Sequence, residues 1–440
     1  MSDNDCKNEM ESFSKCLQDM LDININSDDI LDLCSEEYNA QNKCINDKIL
    51  YHSKGGMNNK IIRLGIVVGI NTDAISEDNF PKWLKDIPNE LFNLSNEKWD
   101  KDYYGLGSDI GIAYYLLKKS IQPKYRNKIH ITILTKDDIS VKKFNQFNYI
   151  IGFYDPFYYT SEFNDSRLYS KYNRIIENTT AKYFQPLGLQ KFVLNKKLYI
   201  ETLRKNKIPV IDTYYVSIRN NMNINLIIKK LKSYCDQWNC ETFISKPQPG
   251  GFGIGFKKWN INKVVQNSVQ FNKYIQRIKG LPRFEQPHLL FQKYIPEFDR
   301  FYEIRTYWLN SKYSHSLGTI ISEESLGKGG FEKVTYGYPV NEYPSKNIIN
   351  SMDDIPEKID MKLINHLKRV GEKILEINQI QKHKPFIFRI DFGCCLDNKN
   401  ICRDYFVNEI EYLPNIFPEY ARHIDIMGRI GDSILRKVLM

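Results

Sequence analysis

Three carboxylates near the C-terminus have the types and spacing of a divalent-metal site. The segment Arg389-Ile390-Asp391-Phe392 is followed by Asn408-Glu409-Ile410-Glu411. Both segments are predicted as strands with alternating side chains, so Glu409 and Glu411 project from one face and Asp391 faces them. Mg²⁺ is usually held by one or two carboxylates together with substrate phosphates. The alternative is an edge hairpin with a solvated acidic face.

A lysine followed by a glycine-rich loop is the most explicit phosphate-binding signal in the chain. Residues 243–247 are predicted as a strand, and this strand carries Lys246 close to its end. The loop that follows contains Gly250, Gly251, Gly253 and Gly255. Glycines free the backbone to present several N–H groups to one anion. The alternative is a β-hairpin with a glycine-rich turn.

Two further strands carry groups that suit a nucleotide. An apolar strand that breaks at Pro296 forms a hinge suited to lining an adenine ring. The hinge positions are Gln292, Lys293, Tyr294 and Ile295. In the next strand Glu303, Arg305 and Tyr307 share one face, and a fixed arginine fork suits phosphate oxygens. A solvent-facing arginine is the alternative.

The elements that position these residues belong to an α/β chain. Continuous apolar strands at 61–70, 129–134 and 149–154, with a helix at 110–119, predict a parallel sheet covered on both faces. The pattern is helical from 163 to 199. A strand at 207–213 and an amphipathic helix at 224–238 lead into the nucleotide signals.

The order of these signals resembles the ATP-grasp superfamily, in particular its carboxylate-amine ligases. The resemblance covers about residues 60–440 and is most specific over 243–415. It implies an ATP-grasp fold of the α/β (α+β) class with a preceding parallel α/β domain at 60–180. The ATP-grasp domain would span 181–440, with a lid at about 205–288 and a C-terminal subdomain at about 289–440.

The resemblance also implies ATP and Mg²⁺ as ligands and assigns roles to residues. Lys246 matches the lysine that contacts nucleotide phosphates, and Arg305 matches the arginine near the transferred phosphate. Gly250, Gly251, Gly253 and Gly255 match the lid loop, and Gln292 to Ile295 match the hinge. Asp391 and Glu409 match the metal-binding carboxylates, with Glu409 bridging two ions.

The chain departs from the family pattern at one metal ligand. Many members carry Asn at the position of Glu411, so a carboxylate here adds negative charge near the second metal. Asn415, in the turn that follows, is a lesser ligand candidate. An earlier family lysine corresponds to either Lys196 or Lys197, and the sequence does not choose between them.

The implied activity is ligation. Transfer of the γ-phosphate of ATP to a substrate carboxylate gives an acylphosphate, which an amine or a thiol then attacks. Small-molecule or peptide carboxylates and amines are the expected substrates. A small-molecule kinase of the same architecture is one alternative. The other is a non-catalytic nucleotide-binding scaffold whose N-terminal segment recruits a protein partner.

The N-terminal segment 1–55 has a separate cysteine pattern. Nine residues separate Cys6 from Cys16, and nine separate Cys34 from Cys44. Each pair therefore lies close to one face of a helix. Two antiparallel helices would place Cys6 opposite Cys44 and Cys16 opposite Cys34, within disulfide reach. The alternative is a reduced hairpin whose spacing is coincidental.

This segment resembles the twin Cys-x9-Cys family, the coiled-coil-helix-coiled-coil-helix (CHCH) proteins. The resemblance implies a helical hairpin with two disulfides, and residence in the mitochondrial intermembrane space if the source has the usual thiol-oxidation relay. Otherwise a cytoplasmic location is expected. No secretory signal is apparent at the N-terminus.

Charge is distributed unevenly along the chain. Residues 1–55 hold twelve Asp/Glu and five Lys, whereas the remainder holds 57 Lys/Arg and 41 Asp/Glu. The basic residues are scattered and no nucleic-acid-binding motif accompanies them, so a cleft for a polyanionic nucleotide is favoured over nucleic-acid binding. No run of eighteen apolar residues predicts a membrane span.

Overall fold

A computed structural model describes most of the chain from residue 61 onward. The described residues are 61–69, 74–96, 105–154, 166–218, 222–248, 256–279, 288–299, 303–321, 334–339, 361–396, 402–414, 416 and 425–439. The predicted hairpin with Cys6, Cys16, Cys34 and Cys44 lies outside them. The predicted lid glycines Gly250, Gly251, Gly253 and Gly255, and also Asn415, lie outside them too. Within these ranges no helix is both long and apolar enough to cross a membrane.

The first layer is the predicted parallel sheet. Its strand order is β4-β1-β5-β6, with β1 Ile62–Val67, β4 Ile129–Leu134, β5 Tyr149–Gly152 and β6 Lys182–Phe184. After the exposed Arg63, the central strand β1 is apolar and buried from Leu64 to Val67, because both of its faces are covered there. A short antiparallel pair, β2 Ala74–Ile75 and β3 Leu106–Gly107, lies before the helix predicted at 110–119.

The helices around this sheet account for the alternation seen in the sequence. They are α1 Asn89–Asn96, α2 Ser108–Ser120, α3 Val141–Phe144 and α4 Ser166–Asn178. The helix predicted at 110–119 is confirmed as α2. The continuous helical pattern predicted from 163 to 199 is wrong in one place, because β6 interrupts it and pairs with β5. Three residues of strand are too few to alter a helical periodicity read over a long window.

The second layer is an antiparallel sheet of order β7-β10-β8-β9. Its strands are β7 Thr213–Ser217, β8 Thr242–Gln248, β9 Lys257–Asn260 and β10 His288–Lys293. The prediction of a strand over residues 207–212 is wrong. This segment begins in a turn and is otherwise irregular, and within it only Val210 forms a bridge, to Val407. We call this sheet and its helices the lid.

Helices cover one face of the lid sheet, and the opposite face carries the polar side chains of Lys246 and Gln292. The lid helices are α7 Ile224–Gln237, α8 Ile261–Gln266 and α9 Val269–Lys279. They bury Phe243, Leu289 and Phe291 in one cluster. Because side chains alternate along a strand, the neighbouring positions Lys246, Leu290 and Gln292 lie on the opposite face.

The third layer is a five-stranded antiparallel sheet of order β13-β12-β11-β14-β15. The strands are β11 Glu303–Leu309, β12 Lys312–Ile321, β13 Val334–Pro339, β14 Ile387–Leu396 and β15 Cys402–Glu411. The helices that accompany this layer are α5 Leu187–Leu194, α6 Lys196–Lys205, α10 Met361–Glu376 and α11 Asn378–Gln381. Ile304, Trp308 and Phe388 form a buried cluster with residues of these helices. The opposite face of β11, β14 and β15 carries the polar residues of the site.

The first and third layers are joined by buried contacts. The C-terminal helix α12 Ile426–Leu439 packs on α2, where a Cβ on Gly111 would lie 2.5 Å from the sulfur of Met427. The buried side chain of Gln185 donates to the carbonyls of Ile387 and Tyr412, and it accepts from the N–H of Phe386. The parallel sheet is therefore fixed to the base of the site-bearing sheet.

Candidate active site

The three predicted metal-binding carboxylates converge. Asp391 on β14 is the register partner of Glu409 on β15, and Arg389 is the partner of Glu411. One carboxylate oxygen from each of Asp391, Glu409 and Glu411 lies within 4.8 Å of the other two. Asp391 is buried, whereas the two glutamates are half-buried. The prediction that the two glutamates share a face opposite Asp391 is confirmed.

A β-bulge adds a fourth polar side chain to this face. The register passes from Asp391–Glu409 to Phe392–Val407, so Asn408 is an extra residue in β15. Strict alternation would direct Asn408 away from Glu409. Instead the Asn408 amide donates to Oε1 of Glu303 at 2.6 Å. Sequence reasoning missed Asn408, because a bulge depends on the pairing of two strands.

Arg389 is a second site residue to which the sequence analysis gave no role. Its Nε and one terminal nitrogen contact the two oxygens of Asp391 at 2.7 and 2.8 Å. A terminal nitrogen also lies 3.0 Å from Oε1 of Glu411. The available signal was the spacing Arg389-x-Asp391, which places both side chains on one face of a strand.

Burial and neighbouring charges have opposite effects on the pKa values of Arg389 and Glu411. Burial lowers the pKa of Arg389, but attraction to Asp391 and Glu411 outweighs burial and raises that pKa overall. The pKa of Glu411 is raised because desolvation exceeds the opposing effect of Arg389. Arg389 therefore stays charged, and it holds Asp391 in a fixed orientation through a two-point contact.

Arg305 continues the same row of residues. It is the β11 partner of Asp391, so Arg305, Asp391 and Glu409 lie side by side across three strands. Its Nε donates to Oε2 of Glu303 at 3.0 Å. Only 3% of Arg305 is exposed, so its guanidinium is oriented by a buried partner.

Lys246 reaches this face from the lid. Its Nζ donates to Oδ1 of Asn408 at 3.4 Å. Asn408 therefore links Lys246 of the lid sheet to Glu303, the partner of Arg305, on the five-stranded sheet. The predicted lysine, arginine and carboxylates thus border one crevice between two sheets.

The structure distinguishes the two lysines that the sequence left open. Lys196, in the first turn of α6, is buried and forms an ion pair with Oε1 of Glu409. The ammonium of Lys197 is directed toward Glu201, with a nitrogen–oxygen distance of 4.0 Å. Lys196 therefore lies in the crevice and Lys197 lies beside it.

The hinge residues divide between the two sides of the lid sheet. Gln292 is buried on the crevice side, where its Nε2 donates to Oγ1 of Thr213 at 3.0 Å. Its Oε1 is buried without a hydrogen-bond partner among the described residues. Lys293 is the partner of Phe243 and faces the lid helices, so only its backbone borders the crevice. Tyr294 lies under Lys258, whose Nζ is 3.6 Å from the ring centroid, and Ile295 is half-buried.

The crevice is balanced in formal charge among the residues described here. Four carboxylates meet four cationic side chains. The acids are Glu303, Asp391, Glu409 and Glu411, and the cations are Lys196, Lys246, Arg305 and Arg389. Oxygen-rich donors are the ligands that Mg²⁺ prefers, and the cations suit phosphate oxygens. The buried Gln292 Oε1 suits an amino group at the hinge end. The residues present fit a metal-bound nucleotide.

Comparison with solved structures identifies the fold. D-cycloserine synthetase DcsG superposes with a TM-score of 0.52 at 12% identity, covering 86% of this chain and 99% of that one. D-alanyl-alanine synthetase A from Vibrio cholerae O1 biovar eltor str. N16961 gives a TM-score of 0.50 at 13% identity, covering 86% and 98%. No protein-family model matches the sequence, and no curated protein matches it. The chain has the fold of the ATP-grasp ligases.

Proposed function

We propose that this chain is an ATP- and Mg²⁺-dependent ligase that joins a carboxylate to an amine, or to a thiol, through an acylphosphate. The observation that carries the proposal is the convergence of Lys246 from the lid with Arg305 and the Asp391–Glu409 pair from the facing sheet. Phosphoryl transfer needs positioning and charge neutralisation more than it needs a protein nucleophile. This crevice would supply both.

Each group has a role in the proposed reaction. Asp391, Glu409 and Glu411 would hold the metal, which neutralises phosphate charge when bound. Lys246 and Arg305 would bind phosphate oxygens, and Arg389 would orient Asp391. Gln292 would accept a hydrogen bond from the adenine amino group, with the backbone of Lys293 to Ile295 beside it. Gly250, Gly251, Gly253 and Gly255 would close over the phosphates.

The proposed substrates are small-molecule or peptide carboxylates and amines. Support comes from the fold shared with D-cycloserine synthetase and D-alanyl-alanine synthetase. The particular acid and amine would be selected by the parallel layer, because ligands of open α/β sheets bind outside the carboxyl ends of the strands.

The test is a hydroxylamine trap. Purified protein is incubated with ATP, Mg²⁺, pools of candidate acids and hydroxylamine, and the products are analysed by mass spectrometry. A ligase releases ADP and gives the hydroxamate of one acid, because hydroxylamine attacks the acylphosphate. A phosphate ester that survives hydroxylamine would instead identify a kinase. Binding of Mg·ATP without release of ADP from any acid would favour the non-catalytic nucleotide-binding scaffold.

The N-terminal segment has a proposal of its own. Residues 1–55 would form a hairpin with disulfides Cys6–Cys44 and Cys16–Cys34, able to recruit a protein partner in an oxidising compartment. Mass spectrometry of the non-reduced protein tests the pairing. Four free thiols in this segment would contradict it.

A further inference from the structure

We infer that Lys196 is a built-in counter-cation of the metal site, so that the crevice holds a divalent cation weakly on its own and firmly only together with a phosphate-bearing nucleotide. The inference rests on the proposed function and deepens it. It makes Lys196 a residue that couples the binding of two ligands.

The position of Lys196 is fixed by its neighbours. Asn195 caps α6 by accepting from the N–H of Leu198 at 3.0 Å. Gln248, at the end of lid strand β8, donates to Oδ1 of Asn195 at 3.0 Å and accepts from the N–H of Lys197 at 2.8 Å. The start of the helix is thereby tied to the lid on both sides of Lys196, whose buried ammonium contacts Glu409.

The carboxylate oxygens that would bind the metal are already in contact with cationic side chains. Arg389 contacts both oxygens of Asp391 and one oxygen of Glu411. Lys196 contacts Glu409. With the formal charges of the crevice balanced, a bare divalent cation meets no net negative charge, and it would have to displace the ammonium from Glu409. Moving a buried ammonium out of contact with a carboxylate is costly.

A nucleotide changes this balance. Phosphate oxygens offer the Lys196 ammonium a new partner, which frees Glu409 to bind the metal. Each ligand then favours binding of the other, and the coupling must be reciprocal. The metal would displace one unit of positive charge that is in direct contact with a half-buried carboxylate. We therefore expect each ligand to raise the affinity for the other about tenfold or more.

The experiment measures binding of Mn²⁺, a paramagnetic substitute for Mg²⁺, from the electron paramagnetic resonance signal of the free ion. Wild type and Lys196→Met are titrated with Mn²⁺ alone and with Mn²⁺ at saturating ADP. Wild type should bind Mn²⁺ at least about tenfold more tightly with ADP. Lys196→Met should bind Mn²⁺ alone about tenfold more tightly than wild type and should lose most of the enhancement by ADP.

Two matched variants complete the test. Lys196→Arg keeps the charge and should bind Mn²⁺ alone as weakly as wild type does. Lys197→Met removes the neighbouring lysine, whose ammonium lies toward Glu201, and should behave as wild type throughout. Thermal unfolding of each variant checks that the fold is retained.

Unchanged or weaker binding of Mn²⁺ alone by Lys196→Met would overturn the inference while leaving the proposed function intact. A wild-type protein that fails to bind Mn²⁺ even with ADP would overturn the proposed function as well. These two failures are separate readings of the same titration.

Discussion

Asp391 and Glu409 face one another in register across β14 and β15, and Arg305 continues their row from β11. Two carboxylates in direct cross-strand contact would repel each other without a cation nearby. Here Arg389 holds Asp391 and Lys196 holds Glu409. Both carboxylates of the row are therefore already paired with cationic side chains, and a metal-bound triphosphate would take over these cation contacts.

Replacing Glu409 with glutamine tests the metal site and keeps a side-chain oxygen that can accept a hydrogen bond from Lys196. Glu409→Gln keeps the shape of the side chain but removes the charge that binds the metal. We expect Mg·ATP-dependent ADP release to fall about 10²–10³-fold, by analogy with the loss of one preorganised electrostatic contact. A coupled assay for ADP measures the change.

The control for this experiment is Glu201→Gln, on the exposed side of α6. It should retain wild-type turnover. Asp391 is a poorer choice for mutation, since its loss would remove the two-point contact of the buried Arg389 and leave Glu411 beside it, at a cost of up to about 3–5 kcal/mol in stability. Wild-type turnover by Glu409→Gln would remove Glu409 from the metal site.

Lys246 and Lys257 offer a matched pair on opposite faces of the lid sheet. Lys246 faces the crevice, whereas Lys257 lies with Ser245 on the helix-covered face, 4.4 Å above the ring of Trp259. Lys246→Met should weaken ADP binding about 10–100-fold, because a charged contact contributes about 1.5–3 kcal/mol. Lys257→Met should leave binding unchanged. Isothermal titration calorimetry measures both, and equal effects would contradict the assigned orientation of the sheet.

Asn408 should couple Lys246 of the lid to Glu303 and its partner Arg305. Asn408→Ala removes the link between Lys246 and Glu303, and we expect kcat/KM for ATP to fall about tenfold, a loss of about 1.4 kcal/mol. In a double-mutant cycle with Lys246→Met, the two losses should be non-additive by about 0.5 kcal/mol or more. Strictly additive losses would show that Asn408 does not act through Lys246.

These residues also show how far sequence reasoning reaches. Alternation within a strand is local, so the shared face of Glu409 and Glu411 and the orientation of Arg305 were predictable from residue spacing. The β-bulge at Asn408 and the choice of Lys196 over Lys197 depend on strand pairing and on helix placement. Neither is encoded in a local pattern. The strand β6 also depends on pairing, with β5, and its three residues are too few to change the helical periodicity around them.

His315 should make the protein sensitive to acid. It is fully buried and stacks on Tyr307 with ring centroids 4.5 Å apart, and its Nε2 has no hydrogen-bond partner among the described residues. Its Nδ1 contacts Ser314. Burial, with a smaller effect from Arg429, lowers the pKa of His315 from 6.5 to about 3.

The sign of the effect follows from proton linkage. Between pH 6.5 and 3 the unfolded state binds a proton at this position and the folded state does not, so the free energy of unfolding decreases as the pH falls. Between pH 6.5 and 5 the loss should be about 2 kcal/mol. His315→Phe should show a correspondingly smaller loss in urea denaturation at the two pH values. Identical pH dependence of the two proteins would contradict the assignment.

The most direct test of the central claim is a crystal structure of the protein with Mg²⁺ and a non-hydrolysable ATP analogue. We predict Mg²⁺ at about 2.0–2.1 Å from oxygens of Asp391 and Glu409. Phosphate oxygens should contact Lys246 and Arg305, and the adenine should lie against Gln292. A nucleotide bound elsewhere, or bound in this crevice without contact to these carboxylates, would contradict the account.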